Sequence, residues 1–183
     1  MSNWNSIQQA ALGAHGIITF TQAIRMGVFP AEIYRWRKIG RLIKVGRGVF
    51  RLAAYPFQGF VSDMAVLLAQ VGEGAYLYGE SAIALYGLCP TRSYVAFVAV
   101  PGRFRKKQIP SGLTIVKAKP GYCPTYHDGL ACQYPRDAIR SCIGTLEKDR
   151  LFEAVDEAER QGILLSEEAR SLREEIANGK ATT

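Results

Sequence analysis

Apolar residues recur at helical intervals near the start of the chain, at Trp4, Ile7, Ala11 and Leu12, and predict a first helix over residues 3–14. His15-Gly16 ends it, with the glycine as C-cap. A second, short helix is expected over 22–26, N-capped by Thr21, and Gly27 supplies the turn after it. Pro30 suits the first position of the next helix, where its missing N–H leaves no bond unmade. Ile33 and Trp36, with either the Arg37 stem or Gly40, form that helix's inner face, while Ala31, Glu32, Tyr34, Arg35 and Lys38 point elsewhere. Gly40 closes it. The pattern then switches to alternation over 41–45 and 49–52. Gly46-Arg47-Gly48 between them predicts a β-hairpin with an arginine at its tip.

The segment 53–59, containing Pro56, reads as a domain boundary. A helix follows over 62–71, capped by Ser62 and apolar at Met64, Val66, Leu67 and Leu68. Ser81 is expected to cap a short helix holding Ile83, Ala84 and Leu85, which Gly87 stops. The β-branched and aromatic run at 94–101 predicts a buried strand, and 113–118 a second. Residues 122–134 are irregular and read as strands or loop. Three helices are expected at 136–144, 149–161 and 166–177, the last announced by Ser166 with Glu167 and Glu168. No internal repeat or low-complexity segment interrupts the chain. The fold class expected is α+β: a winged helix-turn-helix over 1–57, then a mixed α/β domain over 58–183 that ends in helices.

Charge sharpens this picture. Up to Phe57 the basic residues are Arg25, Arg35, Arg37, Lys38, Arg41, Lys44, Arg47 and Arg51, and the one acid is Glu32. That segment therefore carries the whole +7 of the chain, and the remainder is balanced. A segment this basic attracts a polyanion and binds it in a salt-dependent way. A solvated basic face is the bland alternative, but these charges gather on the third helix and the hairpin, the elements such a module lays on DNA. The DNA-contacting residues expected are Tyr34, Arg35 and Lys38 from the helix and Lys44, Arg47 and Arg51 from the hairpin. Arg35 can read a guanine edge through a bidentate fork, whereas Lys38, Lys44 and Arg47 suit phosphate. Arg37 is instead expected to pack its stem on the core. A second basic cluster, Arg103, Arg105, Lys106 and Lys107, fits three roles: phosphate contacts on flanking DNA, a face for a partner protein, or a solvated loop.

Other chemistries lack support. No apolar run approaches the ~20 residues of a membrane span, and the N-terminus has no secretory signal pattern, so a cytoplasmic protein is expected. Cys89, Cys123, Cys132 and Cys142 match neither a C-x-x-C pair nor a zinc knuckle, and read as reduced, mostly buried thiols. Tyr126-His127-Asp128 places a histidine beside an acid, but no nucleophile accompanies it in a recognisable pattern. Walker A, G-x-G-x-x-G and H-E-x-x-H motifs are missing, and Ser81 lacks the second glycine of a nucleophile elbow. No cofactor, no metal and no enzymatic activity are expected.

The sequence resembles the AbiEi family of antitoxins from type IV toxin–antitoxin (abortive infection) systems. The resemblance is carried by Gly16-Ile17-Ile18-Thr19, Met26-Gly27-Val28, Gly40-Arg41-Leu42 and Gly46-Arg47-Gly48-Val49-Phe50-Arg51. It continues through Gly79-Glu80-Ser81-Ala82 with Leu85-Tyr86-Gly87-Leu88, the VAVPGR strand and Pro135-Arg136-Asp137-Ala138-Ile139. Where family members usually carry Ser or Thr before the recognition helix, this chain has Phe29. The resemblance implies an autorepressor whose N-terminal domain binds double-stranded DNA at inverted repeats in its own promoter, as a dimer on that operator. It also implies a functional partner, a nucleotidyltransferase-like toxin neutralised with or without direct contact. A stand-alone winged-helix regulator with a dimerising or effector-binding C-terminal domain is the alternative, and a nuclease fused to a DNA-binding module a third.

Overall fold

Most hydrophobic residues at the predicted intervals are buried, and each unit has an apolar cluster of its own. A computed structural model describes residues 3–90, 95–102, 104 and 111–179, and the chain divides into the units Met1–Glu73 and Gly74–Thr183.

The first unit runs α1 (Asn3–Leu12), β1 (Ile17–Thr19), α2 (Phe20–Arg25), α3 (Pro30–Lys38), β2 (Leu42–Gly46), β3 (Val49–Leu52) and α4 (Phe60–Val71). The predicted hairpin is β2–β3, but β1 adds a third strand, giving the antiparallel order β1-β3-β2. Phe50, on the central strand, pairs with Ile18 on one side and Lys44 on the other. Three residues are too few for a period-2 signal, which is why the sequence pattern does not announce β1. The core gathers Ile7, Ile18, Ile33, Trp36, Phe50 and Leu52. Trp4 of α1 meets Trp36 of α3 edge-on, with ring centroids 5.1 Å apart and planes at 64°. Trp36 is 1% exposed, so its truncation to alanine would cost about 3–5 kcal/mol.

Two expected caps of the first unit move. Thr19, not Thr21, N-caps α2: its Oγ1 accepts from the Gln22 backbone N–H at 3.1 Å, and the Gln22 side chain accepts from the Thr19 N–H at 2.9 Å. Thr21 lies inside the helix because β1 holds Thr19 extended (φ −92°, ψ 155°) and so sets the helix start. Likewise α4 starts after Gly59, and Ser62 is inside it, its Oγ accepting from the Gln58 N–H at 2.8 Å.

Helix α4 lies against all three strands of the first sheet. The first unit therefore extends to Glu73 rather than ending near residue 57. Pro56 marks a bend within the unit, and the helix ends at Gly72, whose φ of 124° few other residues adopt.

The second unit contains β4 (Tyr76–Leu77), α5 (Glu80–Leu85), β5 (Ala96–Val100), β6 (Leu113–Lys117), β7 (Thr125–His127), β8 (Leu130–Cys132), α6 (Pro135–Ser141), α7 (Lys148–Arg160) and α8 (Ser166–Asn178). Its strands form a mixed sheet in the order β6-β5-β4-β8-β7. β5 runs parallel to β6 and β4 parallel to β8, while the β4–β5 and β7–β8 pairs are antiparallel. The irregular 122–134 segment resolves into the β7–β8 hairpin around Asp128 (φ 46°) and Gly129 (φ 72°), an Asp-Gly turn whose two positive φ angles match the twist of paired strands.

Ser81 does not cap α5, which starts after Gly79. It is buried, and its Oγ accepts from the Phe97 N–H at 2.7 Å, fastening α5 to β5. Gln133, also buried, accepts from the Gly79 N–H at 2.7 Å and donates to Ser141 Oγ at 3.1 Å, tying β8's end to both α5 and α6. The three expected C-terminal helices are present. Helices α7 and α8 pack together along apolar stripes, Leu151, Ala154, Val155 and Ala158 on one, Ala169, Leu172 and Ile176 on the other.

Candidate nucleic-acid interface

Helix α3 owes its orientation to the two residues it buries. Ile33 and Trp36, each 1% exposed, face the core and turn Tyr34, Arg35, Arg37 and Lys38 to solvent. Pro30 occupies the first turn, and no side chain caps Phe29, which is 72% exposed. Glu32, the acid of this helix, accepts from Asn3 Nδ2 of α1 at 2.9 Å. Its charge is thus drawn toward α1 rather than left among the arginines.

Tyr34, Lys38 and Lys44 border one shallow, open groove between α3 and β2, together with Arg37 and Ile43. Arg35 lies on the exposed surface of α3 outside that groove, and Arg47 at the exposed turn joining β2 to β3. Among the described residues, none takes up the side chain of Tyr34, Arg35, Lys38, Lys44 or Arg47 in a hydrogen bond or ion pair. Arg51 differs: it is half-buried, and its Nη1 donates to the Tyr55 carbonyl at 2.6 Å. That bond fastens the end of the hairpin and leaves Arg51 partly committed to structure.

Sequence reasoning set Arg37 aside as a packing residue. The structure gives it both roles: its guanidinium sits 5.9 Å from the Phe50 ring centroid, and the residue lines the groove. The signal was available, since Tyr34, Arg37 and Lys38 stand at i, i+3 and i+4 and must share a face. Ile43, 41% exposed on β2, was also missed, although it follows the buried Leu42 and so points to the opposite face of the strand.

The cations of the second unit are arranged otherwise. Arg136 pairs with Glu168 at 2.9 Å, Arg160 with Glu157, and Arg173 with Asp156 and Glu159 at 2.6 Å. Arginine is therefore mostly neutralised there, while α3 and the hairpin leave theirs facing solvent. The basic cluster Arg103, Arg105, Lys106 and Lys107 lies outside the described residues.

The Tyr126-His127-Asp128 stretch is structural in its surroundings. The His127 ring lies 4.1 Å from the Tyr86 ring, and Asp128 forms the β7–β8 turn. All four cysteines are free, with Cys89, Cys132 and Cys142 buried and Cys123 exposed. Burial pushes the Cys142 thiol up from its ordinary 9.0 to about 12, so it is protonated and unreactive near neutral pH. No group of three or more described His, Cys, Asp or Glu residues could hold a metal ion. No described helix is long and apolar enough to cross a membrane.

The first unit thus presents a basic helix and hairpin whose exposed cations Arg35, Lys38, Lys44 and Arg47 no described acid neutralises. Residues 5–53 match the family model described as "Transcriptional regulator, AbiEi antitoxin". No curated protein sequence matches the chain. The crystal structure of the RV2827C protein from Mycobacterium tuberculosis is similar at a TM-score of 0.45 and 13% identity, covering 100% of this chain and 83% of that one.

Proposed function

We propose that the Met1–Glu73 unit binds double-stranded DNA as a winged helix-turn-helix, with α2 and α3 as the helix pair and β2–β3 as the wing. The observation that supports this reading most is the set of exposed, unpaired cations on two neighbouring elements, Arg35 and Lys38 on α3 and Lys44 and Arg47 on the hairpin. Tyr34, Arg35 and Lys38 enter the major groove, where Arg35 reads a base edge, and Lys44 and Arg47 hold phosphate. Arg51 supports the wing's base and contributes a more distant charge.

The protein acts in the cytoplasm as an antitoxin that represses its own transcription from inverted repeats, two copies meeting on the operator. Its functional counterpart is a nucleotidyltransferase-like toxin of an abortive-infection system, and its own role is binding rather than catalysis. The family match ends at residue 53, so the Gly74–Thr183 unit enters this reading through the motif resemblance alone. The second reading is a winged-helix regulator whose second unit dimerises or binds an effector, with no toxin.

A mobility-shift titration on the DNA immediately upstream of the gene, with scrambled competitor at two salt concentrations, tests the first claim. Stepwise, competitor-resistant and salt-sensitive binding supports autoregulation at repeated half-sites. Equal weak binding to both DNAs removes it. Co-expression with the adjacent gene separates the two readings: relief of that gene's toxicity supports the antitoxin, and a harmless neighbour supports the stand-alone regulator.

A further inference from the structure

The wing is held from behind by α4. Gln70 Nε2 donates to the Val45 carbonyl at 3.3 Å, where the β2–β3 register shifts between Lys44 and Gly46. A shift of this kind leaves a residue without its ladder partner and adds local twist. The next residue is shaped by the same side chain. A Cβ built on Gly46 would lie 2.2 Å from Gln70 Nε2 and 2.8 Å from Gln70 Cδ. Gly46 has no left-handed φ, so a side chain there would meet no backbone strain but would have to displace the Gln70 amide. On the other side of the turn, the Phe20 N–H of α2 donates to the Gly48 carbonyl at 2.7 Å. Arg47 is thus carried between two anchors, one from α2 and one from α4. The Arg25–Glu73 ion pair joins α2 to the residue that closes the unit, but both side chains are largely exposed and the pair adds little.

We infer that Gln70 is a positioning residue for the wing: by bonding Val45 and filling the space over Gly46, it sets the direction in which Arg47 points. The inference rests on the DNA-binding reading of the Met1–Glu73 unit, and it places part of the DNA-binding apparatus beyond the 5–53 segment. Backbone bonding within a short bulged hairpin leaves its twist soft. A helix amide bonded across the bulge fixes that twist, and with it the phosphate that Arg47 can reach.

The test uses the full chain with Gln70→Ala, Gly46→Ala, the pair of them together, and Arg47→Ala alone and with Gln70→Ala. Amide hydrogen exchange is followed in the free protein, and affinity for a random-sequence duplex is measured across salt concentrations. Gln70→Ala is expected to speed exchange at Gly46, Arg47 and Gly48 about fivefold, with the α1–α3 core unchanged. It should lower the slope of log K against log salt by about 0.9, the value of one phosphate contact, and add nothing to the loss caused by Arg47→Ala. Gly46→Ala should reproduce these effects by displacing Gln70, and combining it with Gln70→Ala should be no worse than Gln70→Ala alone. Unchanged exchange at 46–48, or additive losses for Gln70→Ala and Arg47→Ala, would overturn the inference. If the wild-type chain binds no duplex, the DNA reading falls, while exchange at 46–48 still decides whether Gln70 holds the wing.

Discussion

Arg140 of α6 and Glu175 of α8 form a two-pronged ion pair, Nε to Oε2 at 2.7 Å and Nη2 to Oε1 at 2.6 Å, and the carboxylate is 6% exposed. Fork-to-fork geometry fixes the two helices at one relative rotation. Removing the guanidinium takes away a charge that offsets the desolvation of the carboxylate. Arg140→Ala is therefore expected to destabilise the Gly74–Thr183 unit by about 3 kcal/mol, and pairing it with Glu175→Leu should recover most of that loss. Denaturant unfolding followed by tyrosine circular dichroism measures both. A double variant as unstable as the single one would show that the pair is not the source of the cost.

Alkaline pH should loosen the same unit. Burial raises the thiols of Cys132 and Cys142 and the phenols of Tyr86 and Tyr122 above their ordinary values, Cys142 from 9.0 to about 12. Each group stays neutral in the fold and ionises more readily in the unfolded chain. Their contribution is full below the unfolded value and is lost as pH climbs toward the folded one. The melting temperature of the second unit should thus fall between pH 9 and about 12, and Cys142→Ala should remove part of that slope. Trp4 and Trp36, the two tryptophans of the chain, both lie in the first unit, so their fluorescence reports that unit separately. A flat profile in the second unit would contradict the assigned burial.

The uncapped start of α3 offers a gain in stability. Phe29 has the extended backbone of an N-cap (φ −71°, ψ 142°) but no side-chain acceptor. Phe29→Ser should supply one and stabilise the first unit by about 1 kcal/mol, raising its melting temperature by several degrees. Tryptophan fluorescence gives the readout. A lower melting temperature would mean that the exposed ring makes contacts worth more than the cap.

Lys44 and Arg47 are assigned to phosphate. Their joint replacement by alanine should weaken operator and random DNA alike and reduce the salt slope by about 2. Random-sequence binding that survives untouched would remove the hairpin from the interface.

Arg35 is assigned to a base edge. Arg35→Ala should cost about 1–3 kcal/mol of discrimination between operator and scrambled duplexes while leaving most non-specific affinity in place. An unchanged preference would move base reading elsewhere, with Arg37 the first candidate because it lines the groove beside Tyr34 and Lys38.

Much of the molecule was written in local pattern. Trp4, Ile7 and Ala11 announce α1, Ile33 and Trp36 the buried face of α3, and Gly46-Arg47-Gly48 the hairpin turn, because periodicity and turn chemistry act over a few residues. The gathering of positive charge on α3 and the hairpin was equally legible, since it follows from side-chain identity along one stretch. Tertiary structure decided what depends on partners distant in the chain. Thr19 rather than Thr21 caps α2 because β1 pairs with β3 and fixes where extended backbone stops. Ser81 and Gln133 find their bonds on neighbouring elements, which no helix or strand pattern encodes. The first unit reaches Glu73 because α4 packs on all three strands, although Pro56 breaks the local pattern much earlier. Ile43 joined the groove for the same reason, because α3 packs beside β2. Local sequence sets which elements form and which charges they carry, whereas the direction of a side chain depends on the element packed behind it.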